Sequence, residues 1–156
     1  RFFRRTQNMP LAKQARRRRS HWANETTAYQ FFCLQPFFKS WSSQSLHAYI
    51  KHGLALHNKE LRLKCSPDLE ASIFESVPTK LWPAIRKLNT HTNIIYGSKT
   101  YPFIQDSISK ALLQNHQITA EQVEGDHCFV QANPISMAEK IKHIIRKESY
   151  AVASSI

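Results

Sequence analysis

The sequence predicts an α/β fold, on three observations. A strand–helix–strand–helix order runs from Thr92 to Ile145. Both strand candidates, Thr92–Gly97 and Gln117–Val123, are short and lead into glycine, Gly97 and Gly125. The segment between them carries Ile104, Ile108, Ala111 and Leu112 on one helical face. Such an order joins parallel strands through a crossover helix. The chain divides accordingly into a helical region over 1–78, an α/β segment over 79–150, and a small Ala/Ser-rich end, 151–156, that frays.

Residues 1–22 are basic and helix-compatible after Pro10, with Leu11, Ala15 and Arg19 on one thin stripe. Asn24 is placed to cap a helix through Tyr29, Phe31, Phe32 and Leu34 to Pro36. Phe37, Phe38 and Trp41 follow, a density of aromatics that packs a core or lines an apolar pocket. Ser42 or Ser43 caps the next helix, with Leu46, Tyr49, Ile50 and Leu54 at helical spacing and Gly53 at its C-terminal cap. Leu61–Lys64 alternates and reads as briefly extended. Ser66-Pro67-Asp68-Leu69-Glu70 is a helix start: a capping serine, proline at the first helical position, acids in the first turn. That helix is expected to turn Leu69, Ile73 and Phe74 inward and to end at Pro78. Thr79–Lys87 forms one or two more turns despite Pro83. After Asn133-Pro134 the last helix is expected to bury Ile135, Ala138, Ile141 and Ile145.

At 156 residues the chain is long enough for one domain with a real core. The net charge of +11 suits an acidic partner surface. Arg4, Arg5 and Arg16–Arg19 are the residues that would contact nucleic acid or another polyanion. No nucleic-acid-binding motif accompanies them, and the solvated face of a surface helix explains Arg16–Arg19 as well. The three cysteines, Cys33, Cys65 and Cys128, are far apart and odd in number, as expected of reduced thiols in the cytoplasm. His47, His52 and His57 are spaced by five, which puts them on different helical faces and excludes a metal pair there. No cofactor is expected, and no apolar run approaches the ~20 residues of a membrane span. The chain begins at Arg1-Phe2-Phe3, without methionine, as if cut from something longer.

Glu124-Gly125-Asp126-His127 is the stretch that carries chemistry. A histidine two residues past a glycine, after a strand, sits at the strand's carboxyl end, where ligands bind in open α/β sheets. Imidazole is the side chain best suited to move protons near neutral pH. The segment from Asn93 to Ile145 resembles the C-terminal end of an α/β-hydrolase. There the penultimate strand ends in a glycine-led loop, matched by Ile94-Ile95-Tyr96-Gly97-Ser98-Lys99-Thr100. A helix follows, then a final strand leading to the catalytic histidine, matched by Val123-Glu124-Gly125-Asp126-His127. Phe129, Pro134 and the closing helix continue the match, and the helices from about Pro10 to Ser76 resemble the cap of the epoxide-hydrolase-like and esterase-like branch.

The resemblance implies a serine-type hydrolase acting on a small apolar ester or epoxide, with His127 as the base. Two departures accompany it. The family's glycine-rich nucleophile elbow is absent, since the only glycines are Gly53, Gly97 and Gly125. The nucleophile, the earlier strands and the oxyanion hole are therefore expected in a missing N-terminal half or another chain, and this chain alone is expected to be inactive. The triad acid usually lies a few residues after the penultimate strand's glycine, where this sequence has Thr100. Asp106 is the next acid, Asp126 adjoins His127, and the acid could also come from the missing part. A polyanion-binding module and a non-catalytic relic of the fold are the alternatives.

Overall fold

The computed structural model describes the backbone of residues 3–5 and 9–153 and the side chains of residues 9–147. In chain order the elements are β1 (Phe3–Arg5), α1 (Pro10–Arg17), β2 (His21–Trp22), α2 (Glu25–Cys33), a 3-10 turn at Pro36–Phe38, α3 (Ser43–Gly53), β3 (Leu54–His57) and β4 (Glu60–Leu63). Then come α4 (Pro67–Glu75), β5 (Ser76–Pro78), α5 (Leu81–Arg86), β6 (Thr92–Gly97), α6 (Pro102–Gln114), β7 (Ile118–Val123), α7 (Phe129–Ala132) and α8 (Pro134–Ala153).

Three helix starts are capped by the residues that the sequence nominates. The Asn24 side chain accepts from Thr27 N at 3.0 Å, and Thr27 Oγ1 accepts from Asn24 N, a reciprocal box. Ser42 Oγ accepts from Ser45 N, and Ser66 Oγ from Leu69 N ahead of Pro67. The aromatic residues between these starts make one core. Trp22, Phe32, Leu46, Ile50 and Leu54 are buried together, ringed by Tyr29, Phe31, Phe38 and Tyr49. Phe32 meets Trp22 at 4.8 Å and Phe38 at 4.9 Å between ring centroids, in the tilted geometries that aromatic quadrupoles favour.

The N-terminal region is mixed where the sequence suggested helices with only Leu61–Lys64 extended. The strands β2, β4 and β3 form an antiparallel sheet in that order, and β1 pairs antiparallel with β5. The β3–β4 hairpin turns on Asn58 and Lys59, both at positive φ (50° and 66°). That is the backbone of a two-residue hairpin loop, which normally announces itself by Asn-Gly. Lysine in the second place hides the signal.

Other inward faces differ from expectation. The helix α1 buries Ala12 and Ala15 and leaves Leu11 45% exposed, and Arg19 lies beyond the helix end. Ala71 of α4 joins Ala12 and Ala15 in a second cluster, a contact of small side chains that lets two helices approach closely. Leu69 and Ile73, each two residues and so about 200° from Ala71, consequently face outward, and Phe74 is exposed as well. The helix α4 ends at Glu75, before Pro78, because β5 begins at Ser76. Gly53 is the last residue of α3 and has no positive φ, so it is not the cap expected of it.

The C-terminal segment follows the predicted order. The strands β6 and β7 pair in parallel, from Thr92↔Ile118 to Gly97↔Val123. Between them α6 buries Ile108 and Ala111. Asn115, nearly buried, ties the crossover together. Its amide donates to Ile85 O (2.7 Å) and Leu88 O (2.8 Å), and its oxygen accepts from Gln117 N (2.8 Å). The helix α8 buries Met137 and leaves Ile135, Ile141 and Ile145 73%, 44% and 60% exposed; Ala138 is exposed too. A helix of 20 residues is ~30 Å long, against ~20 Å for a strand of six, so two strands offer too little sheet to cover it. Lys140 pairs with Glu121 of β7 and anchors the first half of the helix. The same helix runs through Ala153, so the first residues of the expected frayed end are helical, and 154–156 lie outside the described residues. Among the described residues no helix is long and apolar enough to cross a membrane.

Candidate functional site

The carboxyl ends of β6 and β7 bring two loops into contact. Gly97 closes β6, and its backbone passes so near the second loop that a Cβ would lie 2.1 Å from Asp126 O and 2.6 Å from Gly125 O. Only glycine fits. Gly125 itself has φ +141°, and a Cβ there would meet Phe129 Cβ at 2.7 Å. The backbones then lace together: Ser98 N donates to Val123 O (2.7 Å) and Lys99 N to Gly125 O (2.8 Å). Side chains reinforce the join. Glu124 accepts from Ser98 Oγ at 3.0 Å and from Lys99 Nζ at 2.6 Å. Those two donors, Lys99 first, hold its carboxyl below the ordinary carboxylate range, and the carboxylate in turn holds the Lys99 ammonium above its usual value.

His127 emerges from this join, exposed, just past the end of β7. Its Nδ1 lies 3.0 Å from Thr100 Oγ1. Thr100 is 8% exposed and held by its own N–H to Gly97 O. The ring of Tyr101 leans over the imidazole, centroids 5.3 Å apart, and stacks on Phe103 at 5.5 Å. Asp126 is turned away: Oδ1 accepts from Cys128 N at 2.7 Å, closing an Asx turn. Asp106 is exposed on α6 and makes no bond to His127. Of the acids considered in the sequence, none reaches the imidazole, and Thr100 does.

The N-terminal aromatic core reaches the site from behind. Ser42 N donates to Gln131 O at 3.0 Å, joining the start of α3 to α7. The buried Trp41 indole N–H makes no hydrogen bond of normal geometry; it sits beside the Cys128 thiol, a weak acceptor. Burial pushes that thiol up, the Trp41 indole draws it back, and the Asp126 charge adds to the rise. Burial thus disfavours the thiolate, the nucleophilic form, and Cys128 is packed in the interior. Nothing in the sequence alone signalled its contact with Trp41, since the pairing is long-range.

Arg16, Arg18 and Arg19 of the basic run are engaged within the chain. Arg16 pairs with Glu75 at 2.8 Å, and Arg18 with Glu70 at 2.6 Å and with Tyr49 Oη at 3.0 Å. Burial works against the Arg18 charge, and Tyr49 and Glu70 more than offset it. Arg19 lies over the rings of Trp22 and Phe31. The side chains of Arg4 and Arg5 lie outside the described residues. His47 bonds Ser43 O and packs at a tilt against Tyr29. Among the described residues no group of three metal-ligating side chains converges.

A parallel strand pair joined by a helix, with a glycine-led turn after the first strand and an exposed histidine after the second, is the arrangement that the resemblance to the end of an α/β-hydrolase leads one to expect. The chain has that fold, as its C-terminal portion. A peroxisomal alpha-beta-hydrolase from Saccharomyces cerevisiae superimposes with a TM-score of 0.77 at 18% identity, over 95% of this chain and 42% of that one. An E-2-(acetamidomethylene)succinate hydrolase gives 0.65 at 14%, over 80% and 46%. A hydrolase from Rickettsia typhi, described as putative, gives 0.66 at 13%, over 94% and 50%. The chain thus spans half or less of each of these structures. No protein-family model and no curated protein matches the sequence.

Proposed function

We propose that this chain is the C-terminal part of an α/β-hydrolase and supplies His127 as the proton-transfer group. The observation that supports the reading is the imidazole at the carboxyl end of β7, tethered through Nδ1 to the loop after β6 at 3.0 Å. That tether occupies Nδ1 of an exposed ring and leaves Nε2 as the nitrogen for a nucleophile at the carboxyl edge of the sheet. The nucleophile and oxyanion donors then belong to a segment preceding this one. The region over 1–78, which holds the aromatic core, acts as the cap, and Tyr101 with Phe103 gives the site an apolar wall suited to a small ester-like or epoxide substrate.

The test is hydrolysis of a short-chain aryl ester by this chain, by a longer parent protein, and by the parent carrying His127→Ala. Activity in the parent that His127→Ala abolishes, with none in the isolated chain, is the expected result. Activity in the isolated chain would defeat the reading, because the chain holds no elbow for a nucleophile. A second reading, a relic that kept the fold without the chemistry, is favoured by the neutral Thr100 at the imidazole. It predicts no hydrolysis in any of the three proteins, on ester or epoxide.

A further inference from the structure

We infer that Thr100 is a positioning residue that holds neutral His127 in the Nε2–H tautomer, so that the resting ring presents a hydrogen-bond donor to the site instead of a base. The inference rests on reading this loop pair as the hydrolase site. Its physical part stands on the pairing of Thr100 with His127 alone.

The hydroxyl of Thr100 can either donate to Nδ1 or accept from it across the 3.0 Å that separates them. Thr100 is only 8% exposed, and its Oγ1 has no second partner among the described residues. If Oγ1 accepted, its own hydrogen would be left unbonded in the interior, at the cost of an unmade buried hydrogen bond. Donation to Nδ1 uses that hydrogen. A neutral imidazole carries one N–H, so the proton then resides on Nε2. A carboxylate has no hydrogen to give and selects the opposite tautomer.

The surroundings leave this choice to Thr100. Asp126 Oδ1 is bonded to Cys128 N, and Glu124 is bonded to Ser98 and Lys99. Tyr101 meets the imidazole through its ring, at 5.3 Å between centroids. The ligand that suits the resting state is therefore a hydrogen-bond acceptor, such as an acyl oxygen or a carboxylate. Proton abstraction at Nε2 requires the hydroxyl to turn and the ring proton to move to Nδ1 first.

The experiment is 15N NMR of the imidazole nitrogens in this chain, at a pH where the ring is neutral, with His127 assigned by its loss in His127→Gln. The wild-type chain is expected to show a pyridine-like Nδ1 and a pyrrole-like Nε2. Thr100→Ser keeps the pattern, and Thr100→Val collapses it toward the exchanging mixture of an unconstrained ring. Thr100→Asp moves the proton to Nδ1. A protonated Nδ1 in the wild-type chain would overturn the inference, and so would superimposable wild-type and Thr100→Val spectra. So would Thr100→Asp leaving the proton on Nε2. A protonated Nδ1 in the wild-type spectrum overturns the inference even if a variant fails to fold. Ester hydrolysis plays no part in this readout, so an inactive parent with a locked Nε2–H tautomer removes the hydrolase reading and leaves the inference in place.

Discussion

At Gly97 the chain passes its own backbone more closely than any side chain permits, and the site depends on that approach. A methyl group there would sit 2.1 Å from a carbonyl oxygen of the His127 loop. Gly97→Ala must push the loops apart, break the bonds from Ser98 N and Lys99 N, and separate Thr100 from His127. The expected destabilisation is about 3 kcal/mol or more, read as a lower midpoint in urea. A crystal structure of the variant should show Thr100 Oγ1 beyond hydrogen-bond distance of His127 Nδ1. Cys128 supports a second expectation. Burial raises its thiol and packs it beside Trp41, whereas Cys33 and Cys65 are exposed. A maleimide at neutral pH should therefore label Cys33 and Cys65 in the folded chain and reach Cys128 only after unfolding. Equal labelling of all three would show that the Trp41–Cys128 packing is absent. His127 and the glycines around it were readable in the sequence, because a glycine and a histidine in one short loop after a strand mark a tight turn that presents an imidazole. The partner of the imidazole was half readable: the family resemblance put Thr100 at the acid's usual position, but a threonine carries no electrostatic signature, and only the geometry shows its hydroxyl 3.0 Å from His127 Nδ1.

Among the elements, local signals fared best where a side chain acts on its own backbone. The caps at Asn24, Ser42 and Ser66 and the run Thr92–Gly97 are such cases. Faces fared worse, because a face is decided by what lies opposite. Leu69 and Ile73 read as core until Ala12 and Ala15 are seen to demand a small partner, Ala71. The β3–β4 hairpin was half visible, in Leu61–Lys64, and its turn was hidden by Lys59. Holding a non-glycine residue in the left-handed region costs roughly 1–2 kcal/mol. Lys59→Gly should relieve most of that while adding unfolded-state entropy, for a net gain of about 0.5 kcal/mol. A higher melting temperature for Lys59→Gly is the expected outcome; a lower one would mean that Lys59 makes a compensating contact.

For the whole molecule, one physical fact connects the fold to the proposal. The two-stranded parallel sheet is flanked by α6 and α8, which leave Leu113 85%, Phe103 61% and Ile135 73% exposed. The α/β-hydrolase structures that superimpose on this chain are about twice its length. Two strands cannot cover those helices, and the further strands of such a fold would. On the proposed reading the histidine is one member of a site that other strands complete, and residue 100 sets which of its ring nitrogens carries the proton. In a comparable arrangement, replacing the orienting carboxylate by a neutral group that selects the wrong tautomer costs about 10⁴ in kcat. The most direct measurement is kcat for aryl ester hydrolysis by the longer protein with Thr100→Asp, beside wild type and His127→Ala. A rise of roughly 10²-fold or more with Thr100→Asp, together with loss of activity in His127→Ala, is expected if His127 is the base and Thr100 restrains it. An unchanged or lower rate for Thr100→Asp, with His127→Ala as active as wild type, would contradict both roles.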